Sequence, residues 1–496
     1  MRAHALLSLL FLLSRTALDL GGLPFAFSLD WMWLADPADL RSRWLETLYF
    51  FHAFPPGMNL ATGLLLKAGG EQAAVLAHWA FSALGLVLVN ALFVVARGVG
   101  LSTIGAWLLA AAFALTPASL YFEHLYHYEW PVTTLLCVAA ALFAHGVRSQ
   151  SFGVWLACFA VCALVGATRS TFHLAWFVMV AGLGVWACDR GAHRRVLAAV
   201  AIPGLMLVAL YAKNAVLFGA FAISTFGPAS YTLLTVARLP LEVRDAWIAQ
   251  GRLSPFAAVS VYAPPREYAR FFETSDHAGW PPQMTRLEHT AVTAPNFNHW
   301  WLLEVHRARL ADVRYHLWTR PADYAAAVLA GLEDLFGPTT AWHPSDHAAG
   351  VTTSKSRSEA GGSPHDGHRR VLGRYEAWFN RLVHGFPIAP VGLYLFLPVP
   401  LVWAAARARS QLRDPNREER VRGALLLLLL LQIAFVGLAS TMLTALEAAR
   451  YRFQIEWMIW VVVTLFATQL VNRTRPGTAG HIHDAPLDLQ LARRRD

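Results

Sequence analysis

Blocks of about 16 to 24 apolar residues, separated by polar turns, recur along this chain and constrain its fold more than any other feature. A helix needs about 20 such residues to cross about 30 Å of hydrocarbon. Ten spans can be read, at about 4–20, 73–96, 101–117, 130–147, 152–167, 174–188, 196–218, 387–406, 423–444 and 453–471. The balance of residues agrees: 56% of the 496 residues are apolar and 15% charged, against about a quarter charged in soluble chains. The sequence therefore predicts an all-α integral membrane protein, a polytopic transmembrane helix bundle. The block after "MRAH" also has the length of a signal-peptide h-region, "ALLSLLFLL", with small residues beyond it in "LPFAFS". That reading stands as an alternative to a first span.

Basic residues in short loops set the orientation of such a bundle. With the N-terminus in the cytoplasm, "DRGAHRR" (189–195), "RARSQLRDPNREERVR" (407–422) and the tail all face inside. The net charge of +9 is then a topology signal and does not imply nucleic acid. The domains expected are an N-terminal transmembrane module (1–218) with a first outer loop (19–72), an extracytoplasmic segment (219–386), C-terminal helices (387–471) and a cytoplasmic tail (472–496). The outer segment, between spans seven and eight, carries ten of the twenty histidines. Within it "NHWWLLEVHRARLADVRYHLW" (298–318) and "ADYAAAVLAGLEDLF" (322–336) predict helices, and "VTTSKSRSEA" with "AGGSPHDGHRR" predicts a mobile loop. In the first outer loop "PADLRSRWLETLYFF" predicts an interfacial helix, ended by Pro55 and Pro56. The four cysteines, Cys137, Cys158, Cys162 and Cys188, lie inside spans and form neither a disulfide framework nor a zinc-finger spacing.

The stretch "ALEAARYRFQIEW" (445–457) puts Glu447, Arg450, Arg452 and Glu456 between two membrane-length apolar runs. Charges there are costly and so have a partner or a task. Glu447 and Arg450 are spaced to pair with each other; the sharper reading is that Arg450 and Arg452 meet an anion, since guanidinium forks suit phosphate oxygens. Two other outer elements converge with this hairpin if the spans bundle. One is the first loop, with Asp30, Asp36, Asp39 and then "HAFPPGMN". The other is "TPASLYFEHLYHYEWP", with Glu123, His124 and Glu129. Carboxylates, histidines and arginines at one membrane face suit general-base chemistry on a hydroxyl with an anionic leaving group.

Each candidate also has a plainer role. Asp36 before Pro37 is a good N-cap, His52 before two prolines suits a turn, and Arg169 and His173, one helical turn apart, can simply reach the headgroups. Lys213 sits at the end of span seven beside Asn214, and His299 in "NFNHWW" suits interfacial packing.

Taken in order along the chain, "LADPADL", "FHAFPPGMN", "YFEHLYHYEWPV", "TRSTFHLAW", "KNAVLFGAF" and "EAARYRFQIE" resemble the GT-C superfamily of integral membrane glycosyltransferases. The resemblance runs from end to end of the chain. It implies a lipid-phosphate sugar donor, namely a polyprenyl-phosphate sugar, and a glycan, lipid or protein acceptor. It further implies an essential acidic residue in the first outer loop, mapping best onto Asp36 of "LADP" with Asp30 as the alternative, and an active site on the outer face of an inner (plasma) membrane. No organic cofactor is implied, and metal dependence differs across the superfamily. The other classes open are a transporter or flippase of lipid-linked sugars and a glycan ligase or polymerase. The substrate-binding set expected is His52, His124, Arg169, His173, Lys213, His299, Glu447, Arg450 and Arg452, with Asp36, Asp30 and Glu123 as catalytic candidates.

Overall fold

The computed structural model describes residues 2–272, 279–341, 364–384, 392–443 and 447–474. It is all-helical, 78% helix, with no strand among the described residues. The first helices are α1 (Arg2–Leu20), α2 (Pro37–Phe50), α3 (Gly57–Gly69), α4 (Ala73–Gly98), α5 (Thr103–Ala114), α6 (Pro117–Glu123), α7 (Glu129–Ser149), α8 (Phe152–Thr168), α9 (Leu174–Ala187) and α10 (His193–Phe218). The helices Trp301–Thr319 and Pro321–Phe336 lie where the outer segment predicts them, and α2 where the first loop does. Pro398–Leu412, Arg417–Leu443 and Ala448–Thr474 close the bundle.

Among the described residues six helical stretches are long and apolar enough to cross a membrane: Arg2–Leu20, Gly57–Gly98, Glu129–Ser149, Arg190–Phe218, Arg417–Leu443 and Ala448–Thr474. The span expected at 101–117 is instead a pair, α5 and α6, bent by 59°. Thr116 caps α6, accepting from Ser119 N at 3.2 Å, and Pro117 starts it. A hydropathy window does not register such a restart, because it weighs apolarity and not the preference of proline for a first helical position. The helices α8 and α9 have 17 and 14 residues, about 26 and 21 Å at 1.5 Å per residue. The first residues of the span expected at 387–406, through 391, lie outside the described residues, and its helix is Pro398–Leu412.

The expected mobile loop also differs. Its last residues, from Pro364, open a helix to His384, with proline again at the favoured first position; the preceding part, like the tail beyond 474, lies outside the described residues.

Apolar surface on the outside of the bundle is what lipid contact requires. On α1 Leu6, Leu9, Leu12 and Leu13 are all more than half exposed, while Leu7 and Phe11 on its other face are buried. Inside, close contact relies on small residues. A Cβ on Gly146 would stand 2.8 Å from the Trp155 ring, and one on Gly423 would stand 2.9 Å from Ala408 O. All four cysteines are buried and unpaired.

Contacts at the two ends sort the loops. At one end Arg148 Nε donates to Glu418 at 2.9 Å, Gln150 donates to Asp189 at 2.6 Å, and Arg420 lies 3.8 Å from Asp189. These are the arginine-rich loops, brought together. At the other end the first loop docks on the described part of the outer segment, which shares with Phe218 of α10 a separate apolar core around Phe226, Tyr268, Trp300 and Trp301.

Candidate functional site

Two of the three arginines expected to share an anion are brought to one carboxylate. The helix α8 ends at Thr168 and leaves Arg169 extended; the last helix starts at Ala448, whose N–H is capped by Asp334 at 2.6 Å, and presents Arg450 in its first turn. Glu129, the first residue of α7, lies between them. Its Oε1 is 3.4 Å from Arg169 Nη2 and 3.4 Å from Arg450 Nε, while Oε2 accepts from Gln454. Full charge-assisted hydrogen bonds run at about 2.7–2.9 Å, so the two guanidinium groups are held beside the carboxylate without closing onto it. Arg450 also pairs with half-buried Glu447 and stands 3.4 Å from His127 Nε2.

Aromatic rings complete this cluster. The Arg169 guanidinium lies 4.2 Å from the Tyr128 ring centre and 4.1 Å from that of Tyr451. Trp31 and Trp33 stack on each other at 4.6 Å and set their rings edge-on to His127 at 5.3 and 4.5 Å. Glu129, Arg169, Arg450, His127 and Gln454 are all buried. The Nε and Nη2 atoms of Arg169 make no hydrogen bond. A buried guanidinium with unused donors can accept an anion at little further desolvation cost.

Arg452 is placed differently. Its Nη1 donates to Leu335 O at 2.5 Å and Gly337 O at 2.8 Å, and its Nη2 to Thr339 Oγ1 at 2.6 Å. The side chain thus satisfies carbonyls left over at the end of the helix Pro321–Phe336. With the Tyr394 ring 4.7 Å away, it holds two helices together and does not face Arg450's carboxylate.

Among the first-loop acids, Asp36 is buried and saturated. It caps α2 through Ala38 N at 3.0 Å, accepts from Thr290 N at 2.5 Å and Thr290 Oγ1 at 2.7 Å, and pairs with Arg286 at 3.3 Å. Asp39 pairs with Arg286 and with Arg43. Burial pushes the Asp36 carboxyl up, but the Thr290 hydroxyl and N–H, the Ala38 N–H and nearby His289 outweigh it and hold the group below the ordinary 3.8. A charged carboxylate whose lone pairs are all engaged is a poor proton acceptor. It lines a cleft with Gln283, His289 and Asn296. Asp30, by contrast, is exposed and accepts only from Ser28, and it immediately precedes Trp31 of the aromatic group.

The remaining candidates fall into the framework. Glu123 forms a buried pair with Arg15 of α1, which also donates to Ala114 O at 2.9 Å. His52 is buried, its Nδ1 2.8 Å from Thr225 Oγ1, and burial pushes its imidazole down to about 3. Lys213 donates to Phe51 O at 2.7 Å at the end of α2. His299 sits 3.1 Å from Thr285 O and packs against Trp301. Through Thr225, His52 joins the first loop to the outer segment, together with Asn298, which accepts from His52 N at 2.8 Å, while Lys213 ties α10 to the first loop and His299 packs within the outer segment. His173 stands edge-on to Phe435, and His124 lies near Asp19 and His78, away from the arginines.

Glu129 stands in the sequence among the converging acids but is in neither the catalytic nor the substrate-binding set expected there. Its signal was available: a carboxylate opening an apolar helix, directly after the aromatic run of "LYHYEW", has no water to solvate it once the bundle forms. Arg15, inside the first apolar block, carried a similar signal. Arg286 and Thr290 carried none. No protein-family model and no curated protein matches this chain.

Proposed function

We propose that this protein is a membrane glycosyltransferase of GT-C type that moves a sugar from a polyprenyl-phosphate donor to an acceptor hydroxyl on the extracytoplasmic face of the inner membrane. The observation that carries the reading is the convergence of Arg169 and Arg450 on Glu129, with buried Arg169 donors left without hydrogen bonds. The donor phosphate would lie against these two guanidinium groups and its isoprenoid among the exposed apolar helix faces. The acceptor oxygen attacks the anomeric carbon and gives its proton to a carboxylate. The bond from that carbon to the phosphate oxygen breaks, its electron pair leaving with the lipid phosphate, and configuration inverts. Charge grows on the leaving phosphate during transfer, which is where fixed guanidinium groups lower the barrier.

The better base is Asp30. It is exposed and lightly bonded, whereas Asp36 is engaged by Thr290, Arg286 and its own helix. If the bent pair, the two short apolar helices and Pro398–Leu412 also cross, the start of α1 and the end of the helix Ala448–Thr474 lie at the end with the arginine-rich loops and the site at the opposite end, which supports an outward-facing site. The test is transfer by the purified protein from synthetic polyprenyl-phosphate sugars, with lipid-linked sugars and glycans compared by mass spectrometry in cells with and without the gene. Identical profiles, together with no donor consumption in vitro, would remove this reading.

A further inference from the structure

A second polar cluster stands apart from the arginines. Asp19 at the end of α1, His78 in α4 and His124 just after α6 bring one ligand atom each within 4.8 Å of one another. His78 Nε2 is 3.7 Å and His124 Nε2 is 3.9 Å from Asp19 Oδ1. Neither distance is a hydrogen bond.

The state of His124 makes this arrangement informative. Its Nδ1 lies 2.8 Å from Leu120 O. A carbonyl only accepts, so Nδ1 carries the hydrogen and Nε2 presents a lone pair. That lone pair is buried, makes no hydrogen bond and faces a carboxylate oxygen. Two electron-rich atoms facing each other repel unless a cation lies between them. A proton shared between the two atoms would draw them to hydrogen-bond distance, and they stand 3.9 Å apart. Metal-ligating histidines typically donate their other nitrogen to a backbone carbonyl in this way.

We propose that Asp19, His78 and His124 form a site for a divalent transition-metal cation, zinc being the best fit to two imidazoles and one carboxylate. Zinc bonds of about 2.0–2.2 Å put tetrahedral ligands roughly 3.2–3.6 Å apart, so binding asks for small rotations of the two less buried groups, Asp19 and His78. Three protein ligands leave a fourth position for water or a further donor. His368 of the helix Pro364–His384 stands nearby, its ring centre 6.3 Å from that of His124.

The site has a structural consequence for the arginine cluster. His124 O accepts from Ala26 N at 2.7 Å, and Ala26 O from Tyr126 N at 2.9 Å. Phe25 stacks on His78 at 5.0 Å. A cation here would lock α1, α4 and the first loop onto residues 124–128, which lead into His127, Tyr128 and Glu129. The inference does not depend on the glycosyl-transfer reading.

The experiment is elemental analysis of the full-length protein, purified through a tag that contains no histidine and then freed of it. One zinc per chain is expected, with stoichiometric loss in His78→Ala and Asp19→Asn and retention in His193→Ala at the other end of the bundle. His78 is partly exposed, so its variant should elute as a folded protein. Added zinc should raise the melting temperature of chelator-treated wild type but not of His78→Ala. Absence of bound metal combined with no thermal shift on adding zinc overturns the proposal, as does full metal content in both ligand variants.

Discussion

Replacing Glu129 by Gln removes the charge that Arg169 and Arg450 share while keeping the side chain's size and its contact with Gln454. Breaking a buried ion pair by removing one partner costs about 3–5 kcal/mol, because the other charge is left uncompensated. Arg450 retains Glu447, so one cation is stranded, not two. Arg169 keeps the faces of Tyr128 and Tyr451 at 4.2 and 4.1 Å, each worth about 0.5–2 kcal/mol, but these contacts exist before the substitution and offset nothing new. The 3.4 Å separations place the pair short of its best geometry, so the low end, about 3 kcal/mol, is expected. Thermal unfolding in detergent should show a clear drop in melting temperature, and Arg169→Gln in the same chain should recover much of it, since the stranded charge is gone. The second reading is with polyprenyl phosphate. If the guanidinium groups are an anion site, the lipid should raise the melting temperature of Glu129→Gln more than that of wild type, because the competing carboxylate has been removed. Additive losses in the double variant, or equal shifts with lipid, would refute the account of Glu129 as the shared counter-ion of an anion site.

Asp30→Asn should lower transfer by about a hundredfold or more, the usual scale for loss of a general base, with donor binding unchanged in a direct binding assay. Arg450→Lys keeps the charge but loses the planar fork and should raise the donor KM, whereas Arg452→Lys should lower the melting temperature with little change in KM. Asp36 should contribute through docking: its folded pKa is lowered below 3.8, so the unfolded chain takes up the proton first, and the contact is complete above that value and lost as pH falls through the folded one. Protease sensitivity of the outer segment should therefore be flat above about pH 5 in wild type and raised at every such pH in Asp36→Ala. Gly423→Ala, whose Cβ would stand 2.9 Å from both Ala408 O and Leu412 N, should destabilise by about 1–3 kcal/mol, the range for overpacking.

Local features were legible in the sequence because local chemistry decides them. The Asp36–Pro37 cap, the helix α2 and the two outer-segment helices follow from capping and periodicity within a few residues. Apolar block length located the six stretches long and apolar enough to cross a membrane, but it could not separate a full crossing from a short or broken one, since α9 and the bent pair at Thr116 are as apolar as a full span. The pairing of charges was legible only in part. Arg450 and Glu447 are three residues apart and were readable as a pair; Arg169 and Arg450 come from distant parts of the chain and meet through Glu129, which no local rule reaches. Arg452 shows the limit most clearly, because two residues along a helix turn it to another face, where its partners are the carbonyls of a different helix.

The disposition of the acids bears on the proposal that Asp30 is the base. Asp36 and Asp39 neutralise Arg286 and fasten the outer segment to the first loop, Glu123 neutralises Arg15 inside the bundle, and Glu129 neutralises the inner arginines. Each of these carboxylates is committed to a cation. Asp30 has no arginine partner among the described ion pairs and is bonded only by Ser28. A general base must be free to take and release a proton within each turnover, and a carboxylate that also held the fold together would weaken the fold whenever it did so. Separation of the two tasks predicts an asymmetry that a stability screen can read: substitution of Asp30 by Asn should leave the melting temperature unchanged, while the same change at Asp36, or Gln at Glu123 or Glu129, should lower it. A loss of stability at Asp30 equal to that at Asp36 would place Asp30 in the framework and leave the site without its proposed base.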